Sequence, residues 1–410
     1  MTTPSRRRSA LAVGGPAVAL VLASLCLRGP FASVGPLLGD LGRQLAVPGA
    51  VLAVLTSLPL LSFAAASPLA PALAERLGLH RAVVAGAGLL VAGIALRSAG
   101  VVGLFAGTVV LSAGIAIINV LLPGITRREY AHRGHVVIGA TTAGIAVSAS
   151  IGAGLAHPLA DATGGPRAAL ALWALPALLA LAGLAALARA RRRDTPRVAA
   201  AARPPLHRML RDPVARPVIV FFGLQSLAFY TMLTWLPGFL EDRAGLSATA
   251  AGGLLAVAAL LGAPSSLVVP GLAGRRPSQR GWVLAVSLPT VAAVAGLLLA
   301  PAAAPVLWAV LYGIGNGASF PLAMALILVR TRDVVQTGQL SAVAQSAGYL
   351  VAAGGPLAVG LLHDATGGWT VGLVVMLVLL GVQVAVGLAA GRPRLVAAGA
   401  PAPQGSDAAA

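Results

Sequence analysis

The sequence predicts an all-α integral membrane protein with twelve transmembrane helices in two six-helix halves. Three observations predict it. Hydrophobic residues fill 58% of 410 positions and charged residues only 10%, against about 25% charged in a soluble domain, so much of the apolar surface must face lipid. The apolar runs are unbroken and near the ~20 residues that cross a bilayer core as a helix, whereas barrel strands alternate inward and outward residues. Finally, an Arg-, Pro- and Ala-rich segment at 189–216 leaves six such runs on either side.

The first run, 13–38, follows Arg6, Arg7 and Arg8. It outlasts the ~7–15-residue core of a signal peptide and shows no cleavage site, so it reads as a retained span. The remaining five spans of the first half are expected at 49–72, 81–99, 102–125, 135–158 and 167–188. Those of the second half are expected at 217–240, 248–272, 281–300, 304–329, 338–362 and 369–390. The organisation follows: a first half over 1–188, a cytoplasmic linker over 189–216, a second half over 217–391 and a disordered tail over 392–410.

The formal charge of +18 is carried entirely by arginine, and its distribution argues against nucleic-acid binding. With a cytoplasmic N-terminus, the inner segments hold Arg6, Arg7, Arg8, Arg76, Arg81, Arg127, Arg128, Arg133, the linker cluster, Arg275, Arg276, Arg280, Arg330, Arg332, Arg392 and Arg394. The outer loops hold Arg43, Arg97, Arg167 and Arg243. This is the positive-inside asymmetry with both termini cytoplasmic, and it requires an even span count. The single cysteine, Cys26, can form no intrachain disulfide.

The halves repeat one another. Residues 161–165 and 364–368 both read DATGG, each after a glycine-rich span and before another span. The turn AERLGLHR at 74–81 has a looser counterpart, LAGRRPSQR, at 272–280. Parallel repeats of this kind are the plan of the major facilitator fold.

Here a resemblance enters. Glu75, Arg76, Gly78 and Arg81 are similar to the charged and glycine positions of the turn between spans 2 and 3 in the major facilitator superfamily. Four stretches resemble its cyanate permease and 2-nitroimidazole transporter family: LRGPFASVGPLL (27–38), INVLLPGITRREY (118–130), GLQSLAFYTMLTWLPGFLEDRAGLS (223–247) and AQSAGYLVAAGGPLAVGLLHDATGGW (344–369). The chain departs from the pattern at Cys26, where the family usually has Asn, and at Gly29 before Pro30. It departs again at Pro166, where a Trp usually precedes Arg167. The resemblance implies a permease of the bacterial cytoplasmic membrane, acting by alternating access on a small anionic or polar solute. It also implies that Glu75, Arg76 and Arg81 latch one conformation, which is gating.

Arg28 is the leading binding candidate. A charge at a span centre costs about 2.5–3.5 kcal/mol on insertion scales and usually marks a pathway. Pro30 cannot donate to the carbonyl of Cys26, so the helix should open or kink there. Solute binding and structural pairing are both open for Arg28. Span 7 offers Gln225 and Tyr230, with Trp235 a solute contact or an interfacial belt residue. Asn119, Asn316, Gln345 and Tyr349 complete the candidate set, with interhelical hydrogen bonding as the alternative for each. Gln345 and Tyr349, four apart, share a face.

All acidic residues fall at span ends, in loops or in tails, and His157 and His363 near outer span ends, so a buried proton-carrying acid is not expected. Protons enter as a candidate partner only through a weak-acid solute that brings its own. No metal cluster, cofactor loop or catalytic grouping is legible, so the reading is a transporter and not an enzyme. Small-molecule solute and lipid bilayer are the expected partners, and a monomer is the expected state. Efflux of a toxic compound is the alternative to uptake.

Overall fold

The computed structural model describes residues 17–46, 49–130, 134–191 and 206–397. Arg6, Arg7, Arg8, Arg133, linker residues 192–205 and tail residues 398–410 lie outside the described residues. Everything regular among the described residues is helical. Ten helices are long and apolar enough to cross a membrane, or twelve if each of two bent pairs is one span.

Numbered by span, α1 is Ala17–Ala32 continued by Val34–Leu45 after a 46° bend. Helix α2 is Gly49–Ala66 continued by Leu69–Leu77, with a 50° bend between. Then follow α3 (Leu79–Leu96), α4 (Gly100–Glu129), α5 (Gly134–Gly154) and α6 (Pro166–Ala190). The second half has α7 (Ala215–Ala244), α8 (Ala248–Ala273), α9 (Arg280–Leu299), α10 (Pro305–Val329), α11 (Val334–Thr366) and α12 (Thr370–Ala390). A short helix, Ala156–Thr163, extends α5 past a break at Leu155. The expected spans are all present, and most ends shift by a few residues because helices run beyond the apolar run that predicts them.

The bends have local causes. Pro68 follows α2's first segment and lacks an N–H, while Ser67 turns its hydroxyl back to the carbonyl of Phe63 at 2.6 Å; together they break the ladder. In α1 the 46° bend falls at Ser33, where Pro36 cannot donate to the carbonyl of Ala32, and the ladder is interrupted earlier as well, at 25–28. Cys26 N–H reaches the carbonyl of Ala23 and Leu27 N–H that of Ser24, both three residues back, and regular helix resumes at Gly29. The opening expected beside Pro30 lies at 25–28.

The repeated DATGG segments adopt one local structure. Gly164 (φ 78°) and Gly367 (φ 65°) both end their helices in the left-handed region, which glycine enters without a Cβ penalty. Thr163 donates to the carbonyls of Leu159 and Gly165, and Thr366 to those of Leu362 and Gly368. The pentapeptide is therefore a helix-ending device used twice.

Close helix pairs meet at glycine. A Cβ on Gly114 of α4 would lie 2.4 Å from the carbonyl oxygen of Gly86 on α3, and one on Gly107 would lie 2.5 Å from that of Gly93. Dispersion and backbone proximity hold such a seam where lipid supplies no hydrophobic drive. Past α12, residues 392–397 carry no helix and are tied to the connections at one end of the bundle. Val396 is buried and its N–H donates to the carbonyl of Arg330.

Gly114→Ala should destabilise the protein by about 1–3 kcal/mol through overpacking against backbone. Gly88→Ala, whose Cβ would meet nothing within 4 Å, should not. Thermal unfolding of both variants in the same detergent checks the contrast; equal melting temperatures would refute the seam.

Candidate functional site

Arg28 sits at the broken turn of α1 as the residue preceding Gly29–Ala32. Its guanidinium carbon lies 5.6 Å from the ring centre of Phe31 on its own helix, 5.2 Å from that of Phe229 and 5.4 Å from that of Tyr230. The last two belong to α7, so one cation from the first half is seated on two rings of the second. Each such contact contributes about 0.5–2 kcal/mol, depending on desolvation. Among the described residues Arg28 has no carboxylate partner.

Aromatic rings continue the wall. Phe63 of α2 lies 6.1 Å from Phe31 and 5.1 Å from Tyr349 of α11. Phe222 of α7 lies 5.6 Å from Tyr349 and 5.9 Å from Phe320 of α10. The hydroxyl of Tyr230 is buried without a hydrogen-bond partner, while that of Tyr349, buried without a well-formed bond, lies within side-chain reach of Arg28. An unpaired buried hydroxyl forfeits about 1–3 kcal/mol, which a polar solute could recover.

The structure thus brings Arg28, Tyr230 and Tyr349 together. The other candidates are held elsewhere. The Gln225 amide donates to the carbonyl of Phe222 at 3.0 Å and to Ser226 Oγ at 2.6 Å, within its own helix. Gln345 donates to Ser341 Oγ at 2.9 Å, leaving its carbonyl oxygen unpaired. Asn316 donates to the Tyr312 hydroxyl, which donates to the carbonyl of Ala228 and ties α10 to α7. Asn119 is buried with its Oδ1 unpaired. The Trp235 indole donates to the carbonyl of Pro356 at 2.8 Å, and its ring packs on Trp369.

Glu75, Arg76 and Arg81 are exposed. A buried carboxylate at that end of the bundle, Glu129, gathers two of their neighbours. His80 Nε2 lies 3.0 Å from Glu129 Oε1, and Arg191 lies 2.7 Å from Glu129 Oε2, so the starts and ends of α3, α4 and α6 are tied together. Arg127 crosses between the halves and donates to the carbonyls of Leu328, Thr331 and Arg332. Arg330 donates to the carbonyls of Ala390 and Gly391 and to Gln279 Oε1; burial lowers its pKa to about 10, which leaves it charged at neutral pH. Deeper in, Ser346 of α11 donates to the carbonyl of Ala64 of α2 at 2.7 Å.

Sequence reasoning missed Phe31, Phe63, Phe222, Phe229 and Phe320, because an aromatic in an apolar run carries no sign of which way it faces. It also missed Arg97, assigned to an outer loop. Arg97 directly follows α3 and is only 3% exposed. It is drawn in by acceptors on α1 and α4 that are remote in sequence.

The chain matches the description of the Major Facilitator Superfamily over residues 20–356. It is 36% identical to an uncharacterised transporter of Bacillus subtilis, YycB, over 92% of this chain and 93% of that one. It is 35% identical to the 2-nitroimidazole transporter of Escherichia coli, covering 92% and 95%. With the cyanate transport protein CynX of the same organism the identity is 29%, covering 85% and 90%. In fold it is similar to the proton:xylose symporter XylE, with TM-score 0.74, 11% identity and coverage of 92% and 95%. It is similar also to the Escherichia coli fucose:proton symporter FucP, with TM-score 0.71, 14% identity and coverage of 90% and 97%.

Glu129→Ala should destabilise the protein by about 1–3 kcal/mol, because His80 and Arg191 lose a shared buried acceptor. Thermal unfolding in detergent reads it; a change within about 0.5 kcal/mol, the size of an ordinary surface substitution, would show that the cluster adds no stability.

Proposed function

Because this chain belongs to the Major Facilitator Superfamily and is a multi-pass membrane transporter of a small solute, we propose that its solute is a small planar anion or strongly polar heterocycle anchored by Arg28. The observation that carries this reading is a cation with no carboxylate partner among the described residues, flanked by three rings and by the Tyr230 and Tyr349 hydroxyls.

The chemistry narrows the class. Rings lie beside the guanidinium, while its edge N–H groups suit an O–X–O fork such as a carboxylate or nitro group. Phe31 and Phe63 offer apolar walls to a flat body. The named relatives carry a nitroimidazole and cyanate, which fit a cationic anchor. Efflux of cationic toxins fits it poorly, since Arg28 would repel them.

Alternating access follows from where the ties lie. The solute sits between the halves, 1–188 and 217–391, and its release requires the Arg127 clasp on the α10–α11 connection to open as the halves rock. Asn316 acts through Tyr312 on the α7–α10 contact, and Gln345, Asn119, Gln225 and Asn316 come within reach of solute in one conformation or the other. Glu75, Arg76 and Arg81 act at the same end as the clasp. The Arg-rich end is the cytoplasmic one, in a bacterial inner membrane, with both termini inside. Every carboxylate among the described residues lies in a connection or near a helix end, so the solute moves down its own gradient or brings its own proton.

The test is uptake by proteoliposomes of cyanate, 2-nitroimidazole, benzoate and a cationic dye, with and without a pH gradient. Arg28→Ala should lower uptake of the anionic or nitro solute about 100-fold. Arg28→Lys, which keeps charge but loses the fork, should raise KM about tenfold. Tyr349→Phe should raise KM a few-fold. Transport of the dye alone, undiminished in Arg28→Ala, would sink the anchor reading.

A further inference from the structure

Arg28 can anchor a solute only if the broken turn that carries it is held still. Lipid offers no water to satisfy the peptide groups freed by a helix break, so protein must do so. Two side chains from other helices meet backbone groups at the edge of this break and in the turn that follows it. Ser148 of α5 accepts from the N–H of Gly29 at 2.7 Å. From the opposite direction Arg97 donates to the carbonyl of Pro30, while its Nε donates to Thr108 Oγ1 on α4 at 3.1 Å. Gly29 and Pro30 directly follow Arg28, so the anchor's own backbone is gripped on consecutive residues.

The site is built to admit both contacts. A Cβ on Gly107 would come within 2.9 Å of Arg97 Cγ, so only glycine leaves room for the arginine stem. A Cβ on Gly152 would lie 2.6 Å from the carbonyl oxygen of Gly29 and would push α5 off the turn. A Cβ on Gly29 would fall 2.0 Å from the Trp173 ring of α6. Side chains from α5, α6 and the end of α3 therefore converge on two residues, and α4 holds the arginine that reaches them. Arg97 has no carboxylate beside it among the described residues. Its charge is spent on a carbonyl dipole and a hydroxyl, an expensive arrangement for packing alone.

We propose that Arg97 and Ser148 are positioning residues for transport: they clamp the broken turn of α1 to the first half and so fix the Arg28 guanidinium for the solute. The inference rests on Arg28 as the anchor. In this arrangement Arg28 keeps its seat on the first half while its contacts with Phe229 and Tyr230 change as the second half moves.

Cys26 supplies a reporter that needs no solute. It is the chain's single cysteine, lies in the broken turn two residues before Arg28, and is fully buried. Purified Arg97→Gln, Arg97→Lys and Ser148→Ala are compared with wild type in two assays: maleimide labelling of Cys26, and concentration dependence of 2-nitroimidazole uptake. The expected result is faster Cys26 labelling and a KM raised about tenfold in Arg97→Gln and Ser148→Ala, with Vmax within about twofold, since a small misplacement of a binding group has effects of this order or larger. Arg97→Lys, able to reach one acceptor but not both, should fall between. A purely structural Arg97 would lower Vmax and melting temperature and leave KM alone, which would overturn the proposal, as would wild-type labelling in both Arg97→Gln and Ser148→Ala. If Arg97→Gln does not fold, Ser148→Ala decides. Should Arg28→Ala transport as well as wild type, the anchor reading fails separately, while Cys26 labelling still reports whether the clamp exists.

Discussion

The structure is organised around a polar break in a helix that has no water to lean on. Opening α1 at 25–28 frees peptide groups and places a guanidinium inside an apolar bundle. Each of these would be costly if left unmet. The response is distributed over both halves. Ser148 and Arg97 take up the backbone of Gly29 and Pro30, and the rings of Phe31, Phe229 and Tyr230 take up the charge. What stays unmet is the Tyr230 hydroxyl and most of the donor capacity of Arg28, whose side chain reaches toward Tyr349, and that remainder is where a solute gains most.

Within the first half, glycine seams bring α3 against α4 and α5 against the broken turn at backbone distance, leaving little room to slide. Between the halves glycine packing recurs at one seam, where a Cβ on Gly139 of α5 would lie 2.9 Å from the carbonyl oxygen of Leu267 on α8, and contacts of a more breakable kind stand beside it. These include Arg127 on carbonyls of the α10–α11 connection, Ser346 on Ala64, Phe63 against Tyr349, and a cation resting on aromatic rings. Hydrogen bonds from a half-buried arginine to backbone carbonyls can be exchanged for water as a cavity opens. A packed glycine seam cannot.

The repeated pentapeptide shows how duplication can be faithful locally and free globally. Thr163 and Thr366 close the same helix end with the same pair of carbonyls, because that geometry needs only neighbours in sequence. What surrounds each copy differs. His157 lies by Asp40 near the first, whereas His363 packs at a tilt against Trp369 beside the second, since those contacts depend on which helices pack alongside.

Composition and apolar run length alone determined that the chain is helical, crosses a membrane and does so about twelve times, since lipid imposes length and backbone satisfaction on every span alike. They also made Arg28 and the Pro30 break legible, because a charge and a proline inside an apolar run violate a rule that holds everywhere else. Which of the buried polar residues face that charge was decided only by tertiary structure. Gln225 and Tyr230 looked equivalent on one helix, yet the amide turns back to Phe222 and Ser226 while the phenol ring meets Arg28. Arg97 looked like a loop cation and is a buried clamp. Hydropathy records how apolar a segment is; the direction of a side chain depends on neighbours that only folding supplies.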